Sequence, residues 1–106
     1  MVDRNCITDL VERIVQEFHP ERVILFGSYA SGNPSDGSDV DLLVILPYEG
    51  SGIHKAVEIL TQVNPRLPVD LLVRTPEQIR ERLAWHDFFL QEIMEKGQVL
   101  YESTHV

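Results

Sequence analysis

The chain has one cysteine, Cys6, so no disulfide can form within it, and the disulfide-stapled secreted class is excluded. Positive charge is scarce: nine Lys and Arg against 17 Asp and Glu give a net charge of −8. Nucleic-acid backbones are held by clustered cations. No such cluster occurs here, so direct nucleic-acid binding is not expected. No apolar run approaches the ~20 residues of a membrane-spanning helix, and the N-terminus lacks the basic and apolar regions of a secretory leader. The expected address is a reducing cytoplasm, with no membrane contact. His19, His54, His86 and His105 stand at no zinc-ligand spacing with one another or with Cys6. Ser28 has no histidine base near it in sequence, which argues against a hydrolase triad. No Gly-Lys-Ser/Thr closes a phosphate-binding P-loop.

What is present suits one folded domain. The 106 residues are 43% hydrophobic and 25% charged, enough for a modest core. Neither repeat nor linker divides residues 1–106, which read as a single domain.

Ile7, Leu10, Val11, Ile14, Val15 and Phe18 recur at helical spacing, predicting an amphipathic helix up to Pro20. Residues 22–26 (RVILF) form a short β-rich run closed by Gly27. Residues 28–31 fit one helical turn inside a Gly-, Ser-, Asn- and Pro-rich stretch. Residues 39–46 predict a strand apolar on both faces, which belongs inside a sheet. Ile53, Ala56, Val57, Leu60 and Val63 mark a second amphipathic helix, stopped by Asn64-Pro65. Residues 67–74 (LPVDLLVR) predict a third strand. Thr75-Pro76-Glu77-Gln78 then opens a last helix with Thr as N-cap, Pro in the first turn and Gln at the third position. That helix carries Ile79, Leu83, Trp85, Phe88, Phe89 and Ile93 and ends near Gly97. The three aromatics read as core, with an exposed partner-binding patch as the alternative. Residues 98–101 suit a short strand and 103–106 a loose tail.

Two features carry chemistry. Asp39 and Asp41 are one residue apart at the start of a strand, so they share a face and offer oxygen ligands to a hard cation. On the pair alone, turn capping is a sufficient explanation. Asp70 shifts the balance, because a charge within Val69-Asp70-Leu71-Leu72-Val73 needs a partner. Arg74 lies on the same strand face, but about 13 Å away. If the two strands are neighbours, three carboxylates converge, and two charges ~4 Å apart repel by roughly 4 kcal/mol at an effective dielectric of 20. Against a total stability of about 5–15 kcal/mol, such a cluster is poorly explained by structure alone. A bound cation reverses the sign of the interaction. The second feature is Gly27-Ser28, a turn directly after an apolar strand, where backbone N–H groups and a hydroxyl can meet phosphate.

Taken together, Gly27-Ser28-Tyr29-Ala30-Ser31-Gly32 and Ser38-Asp39-Val40-Asp41-Leu42 resemble the signature of the DNA polymerase β-like nucleotidyltransferase superfamily. The small size resembles its minimal nucleotidyltransferase branch, the antitoxin-type partners of HEPN-domain proteins. The likeness runs from Gly27 to Val73, with flanking helices that fit the family's minimal plan. It implies an α/β nucleotidyltransferase fold, a mixed β-sheet flanked by helices in the order α-β-β-α-β-α. It also implies that Asp39, Asp41 and Asp70 hold two Mg²⁺ ions and carry catalysis, with Gly27 and Ser28 binding nucleotide phosphate. The implied activity is transfer of AMP from ATP to a tyrosine hydroxyl of a HEPN-type partner, silencing that partner's RNase activity, within a homo- or hetero-oligomer. A non-catalytic antitoxin acting by binding alone is the alternative. A tRNA- or antibiotic-modifying transferase ranks last, since no extra substrate domain is present. The chain departs from the family at Ser31, where many relatives carry Arg, whose planar fork Ser cannot replace. Arg22, Lys55, Arg66 and Arg74 are the sequence's candidates to supply that charge.

Overall fold

A computed structural model describes residues 2–35 and 37–104. Among the described residues nine elements follow one another: α1 (Arg4–Phe18), β1 (Arg22–Phe26), α2 (Ser28–Ser31), β2 (Val40–Ile45), α3 (Gly52–Val63), β3 (Val69–Arg74), α4 (Pro76–Ala84), α5 (Phe88–Lys96) and β4 (Gln98–Glu102). The strands form one mixed sheet in the order β3-β2-β1-β4, with β2 parallel to β3 and β1 antiparallel to both its neighbours.

The apolar runs of β1 and β2 account for their central place, since both of their faces are buried. Alternation along these strands divides the core into two layers. Val23, Leu25, Val40, Leu42 and Val44 face α1 and α3, packing on Ile7, Leu10, Ile14, Ile59 and Val63. Ile24, Leu43 and Ile45 face the other way, onto Ile79 of α4 and Leu90 and Ile93 of α5. Asp41 and Phe26 share the parity of this second set. They therefore open towards α5, at the end of the sheet where its helical cover stops.

The helix boundaries follow from local chemistry. Asp3, Ser51 and Thr75 cap α1, α3 and α4 with side-chain oxygens, and Thr75 with Gln78 forms the expected capping box. His19 and Asn64 close α1 and α3 in the left-handed conformation. Ser103 donates its N–H to the Glu21 carbonyl at 2.8 Å, which ties down the start of the expected tail. The rest of that tail at 105–106, with His105, lies outside the described residues.

Five expectations are corrected. The single C-terminal helix is two, because Trp85 ends α4, His86 takes φ 60° and Asp87 caps a new helix by accepting from the Leu90 N–H. The turn re-aims the chain so that Leu90 and Ile93 reach the sheet beside Ile79. With α2 and β4 added, the order α-β-β-α-β-α becomes α-β-α-β-α-β-α-α-β. Trp85, Phe88 and Phe89 are not core: they are 72%, 81% and 56% exposed, the first on the turn and the others on α5. In α3 the buried stripe is Ile59 and Val63, while Ile53 and Val57 face outward. Two apolar stripes overlap on this helix, and its docking on α1 and β3 selects the second. Finally, Asp70 is exposed at the start of an edge strand, so burial is not what makes it notable.

Candidate active site

The site is assembled by strand register. β2 and β3 run parallel with Asp41 opposite Asp70, and the Val40 N–H donates to the Pro68 carbonyl at 2.9 Å just ahead of the pair. Neighbouring strands lie ~4.8 Å apart. A slip of one residue would send the two carboxylates to opposite faces. Buried leucines and valines on both faces of β2 hold the register. Across the other edge of β2, Asp41 pairs with Phe26, the last residue of β1. That pairing brings the following turn onto the carboxylate.

Gly27 sits in that turn with φ 74° and ψ −152°, a conformation essentially reserved for glycine. A Cβ on it would lie 2.2 Å from the Asp41 Oδ2. Only a residue without a side chain lets the turn close against the carboxylate. Ser28 follows as the first residue of α2; the Ser31 N–H donates to the Gly27 carbonyl at 3.1 Å, while the N–H groups of the first residues of such a turn have no partner within it. The turn is held from outside as well: Gln98 Nε2 donates to the Ala30 carbonyl at 2.9 Å, and the Tyr29 hydroxyl accepts from the Val2 N–H at 2.9 Å.

The structure thus brings Asp41, Asp70, Gly27 and Ser28 to one end of the sheet. Asp39 precedes β2 and reaches the same place through its charge. The pKa of Asp41 is raised, first by burial, then by the negative charges of Asp70 and Asp39. These are hard oxygen donors that repel one another, the donor chemistry that suits Mg²⁺. Among the described residues no three acidic, histidine or cysteine side chains are already drawn together as a metal-binding group. Their oxygens are of the type a divalent cation takes, and a cation's charge would offset the repulsion that Asp41 feels from Asp70 and Asp39.

An upward shift in the folded state means that the fold holds this proton to higher pH than the unfolded chain does. The stability that it contributes is lost as pH rises through the raised pKa. Asp41→Asn is therefore expected to melt above the parent at pH 7 without added ligand, with the gap closing towards pH 4. Exposed charge pairs are worth at most about 1 kcal/mol, which corresponds to no more than ~4–8 °C. Parallel thermal melts across this pH range check it, and a gap between variant and parent that does not widen as pH rises contradicts it.

Beside the carboxylates lies an open cleft of about 430 Å³ between α2 and α5. Gly27, Ala30, Ser31 and Asp41 line one side, and Phe89, Glu92, Ile93, Lys96 and Gly97 line the other. The Phe89 ring meets Phe26 edge-on, 5.9 Å between centroids. The α5 contribution was not foreseen from sequence, although Phe89, Ile93 and Lys96 keep the i, i+4, i+7 spacing of one helix face. None of the four arginines and lysines singled out in the sequence lines this cleft. Arg22 pairs with Ile45 at the far end of β1, Lys55 lies over the Phe18 ring, Arg66 borders α1, and Arg74 Nη1 donates to the Val73 carbonyl.

This geometry has counterparts. Residues 7–100 match the family model described as "Nucleotidyltransferase domain". A Methanocaldococcus jannaschii protein named as a candidate protein adenylyltransferase is 24% identical over 105 residues, spanning 95% of this chain and all of that one. A candidate nucleotidyltransferase from Sulfolobus solfataricus superposes with a TM-score of 0.65 at 20% identity, over 92% of this chain and 78% of the other. A toxin–antitoxin structure with AMP-PNP gives 0.60 at 20% identity, over 92% and 74%. A mutant of the toxin–antitoxin pair MntA-HpeT gives 0.55 at 18%, over 97% and 75%. At these identities the structural likeness is one of fold. The family match spans nearly all of the chain, and the chain therefore belongs to the nucleotidyltransferase domain family and is a nucleotidyltransferase.

Proposed function

We propose that this nucleotidyltransferase transfers AMP from ATP, with Mg²⁺, to a tyrosine hydroxyl of a HEPN-type partner, and so acts as an antitoxin. The observation that carries the reading is the register of Asp41 on Asp70, with Gly27 closed against Asp41. A relative named as a candidate protein adenylyltransferase and toxin–antitoxin complexes of the same fold, one holding AMP-PNP, support the choice of nucleotide and partner. The exposed Trp85 and Phe88 support a protein partner.

In this reading Asp39, Asp41 and Asp70 hold two Mg²⁺ ions, and Gly27 and Ser28 bind phosphate through backbone N–H groups and the Ser28 hydroxyl. Bound there, the cations offset charge on the attacking and leaving oxygens of an in-line displacement. The acceptor hydroxyl oxygen bonds to the α-phosphorus as the bond to the bridging oxygen of the β-phosphate breaks, and pyrophosphate leaves. Asp70, exposed and level with Asp41, is placed to receive the hydroxyl proton. Asp41 is the less accessible of the two and serves as ligand.

Intact-mass measurement tests the proposal. The chain is incubated with Mg²⁺, each of the four nucleoside triphosphates in turn, and the protein encoded beside its gene. The expected result is one AMP added to the partner, absent with Asp39→Asn/Asp41→Asn. A stable complex with no adduct from any nucleotide, formed equally by the double variant, would instead make the chain an antitoxin by binding alone.

A further inference from the structure

A nucleoside triphosphate entering this cleft brings about four negative charges to a chain that already carries −8. The cleft wall itself adds Asp41 and Glu92. Among the described residues, Lys96 is the one cation that lines it. Its Nζ lies 3.4 Å from the Glu92 Oε1, one turn back on α5, in a pair whose side chains are 75% and 64% exposed. Such an exposed pair is weak, so it is readily exchanged for a stronger partner. The lysine stem has four rotatable carbons and a compact charge at its tip. Ser31 lies across the same cleft, where α2 ends and Gln98, two residues after Lys96, grips the Ala30 carbonyl.

We infer that Lys96 is the polyphosphate-binding cation of this site, held by Glu92 when the cleft is empty and turned to a nucleotide phosphate oxygen when it is filled. The inference rests on the nucleotide-transfer reading and adds to it the residue from α5 that sets nucleotide affinity. A charged hydrogen bond gained on binding is worth ~1.5–3 kcal/mol, so its loss weakens binding by about tenfold or more. Lys96 is exposed and its ion pair with Glu92 is on the surface, so its replacement leaves the fold intact.

The test is direct titration of ATP, with Mg²⁺ present, into the parent, Lys96→Ala, Lys96→Arg and Lys96→Ala/Ser31→Arg. The parent is expected to bind, Lys96→Ala to lose about tenfold in affinity, and Lys96→Arg to stay within about threefold of the parent. Ser31→Arg, placed across the cleft, is expected to recover part of the loss. The loss is also expected to shrink at high salt, as it does for exposed charges. Unchanged affinity in Lys96→Ala overturns the inference while leaving the nucleotide reading standing. So does a loss that neither arginine restores. A parent that binds no nucleotide overturns both.

Discussion

Asp41→Asn is expected to abolish the thermal stabilisation that Mg²⁺ and nucleotide confer on the parent chain. A ligand at a hundredfold excess over its Kd stabilises the folded state by about 2.7 kcal/mol. For a domain of this size that is a rise in Tm of roughly 10–20 °C. Asp41 is the centre of the constellation: it faces Asp70 across β2 and β3, touches Gly27, and feels the charge of Asp39. Asparagine keeps its shape and removes the charge that a cation answers. The ligand-induced rise should therefore fall to near zero in a variant whose ligand-free Tm is at or above that of the parent. These two movements have opposite signs, which separates loss of function from loss of fold and follows the usual opposition of stability and activity at a strained site. Differential scanning fluorimetry with and without Mg²⁺ and ATP measures both. An undiminished rise in Asp41→Asn would remove Asp41 from the site.

Gly27→Ala is expected to do more damage than any other single methyl added to the turn of residues 27–32. Two costs coincide there. The backbone conformation at φ 74° and ψ −152° costs a residue with a Cβ about 1–3 kcal/mol. The new atom would also lie 2.2 Å from the Asp41 Oδ2 and 3.2 Å from its Cγ, so the carboxylate must leave its place. The expected result is a Tm lower by roughly 5–20 °C, together with loss of the response to Mg²⁺ and nucleotide. Gly32→Ala supplies the control. Gly32 ends α2 with φ 82°, but nothing lies within 4 Å of its missing Cβ. Its left-handed conformation is one that His19 and Asn64 also adopt, so alanine there costs less and touches nothing at the site; it should lower Tm by less and keep the ligand response. If Gly27→Ala also keeps that response, the close approach of turn and carboxylate is not a functional one.

Much of the site could be read in advance because its signals are local. A glycine after an apolar strand and a serine beside it are neighbours in the chain, and Asp39 and Asp41 are one residue apart. The reason for singling out Asp70 was less sound. It stands in sequence as a charge within an apolar strand that needs a partner, whereas it is exposed on an edge strand, where water serves. Its proximity to Asp41 comes from parallel pairing, as the hypothesis of neighbouring strands required. The cleft's other wall was not foreseen. Lys96 is more than fifty residues from Asp41 in sequence, and the arginines and lysine nearer the motif proved to be turned elsewhere.

The amino-acid sequence by itself determined the elements and the chemistry of their ends. Periodicity set α1, apolar runs set β1 and β2, and Thr75-Pro76-Glu77-Gln78 set the start of α4, because such signals act within a turn or two of chain. Tertiary structure decided what depends on distant partners. It chose which stripe of α3 is buried, broke the C-terminal helix at His86 so that α5 meets the sheet, and left Trp85 and Phe88 outside. It also brought Lys96 opposite Ser31 and Asp41 opposite Asp70. Those placements follow from sheet order and helix docking, which are settled by burial summed over the whole core rather than by any local pattern.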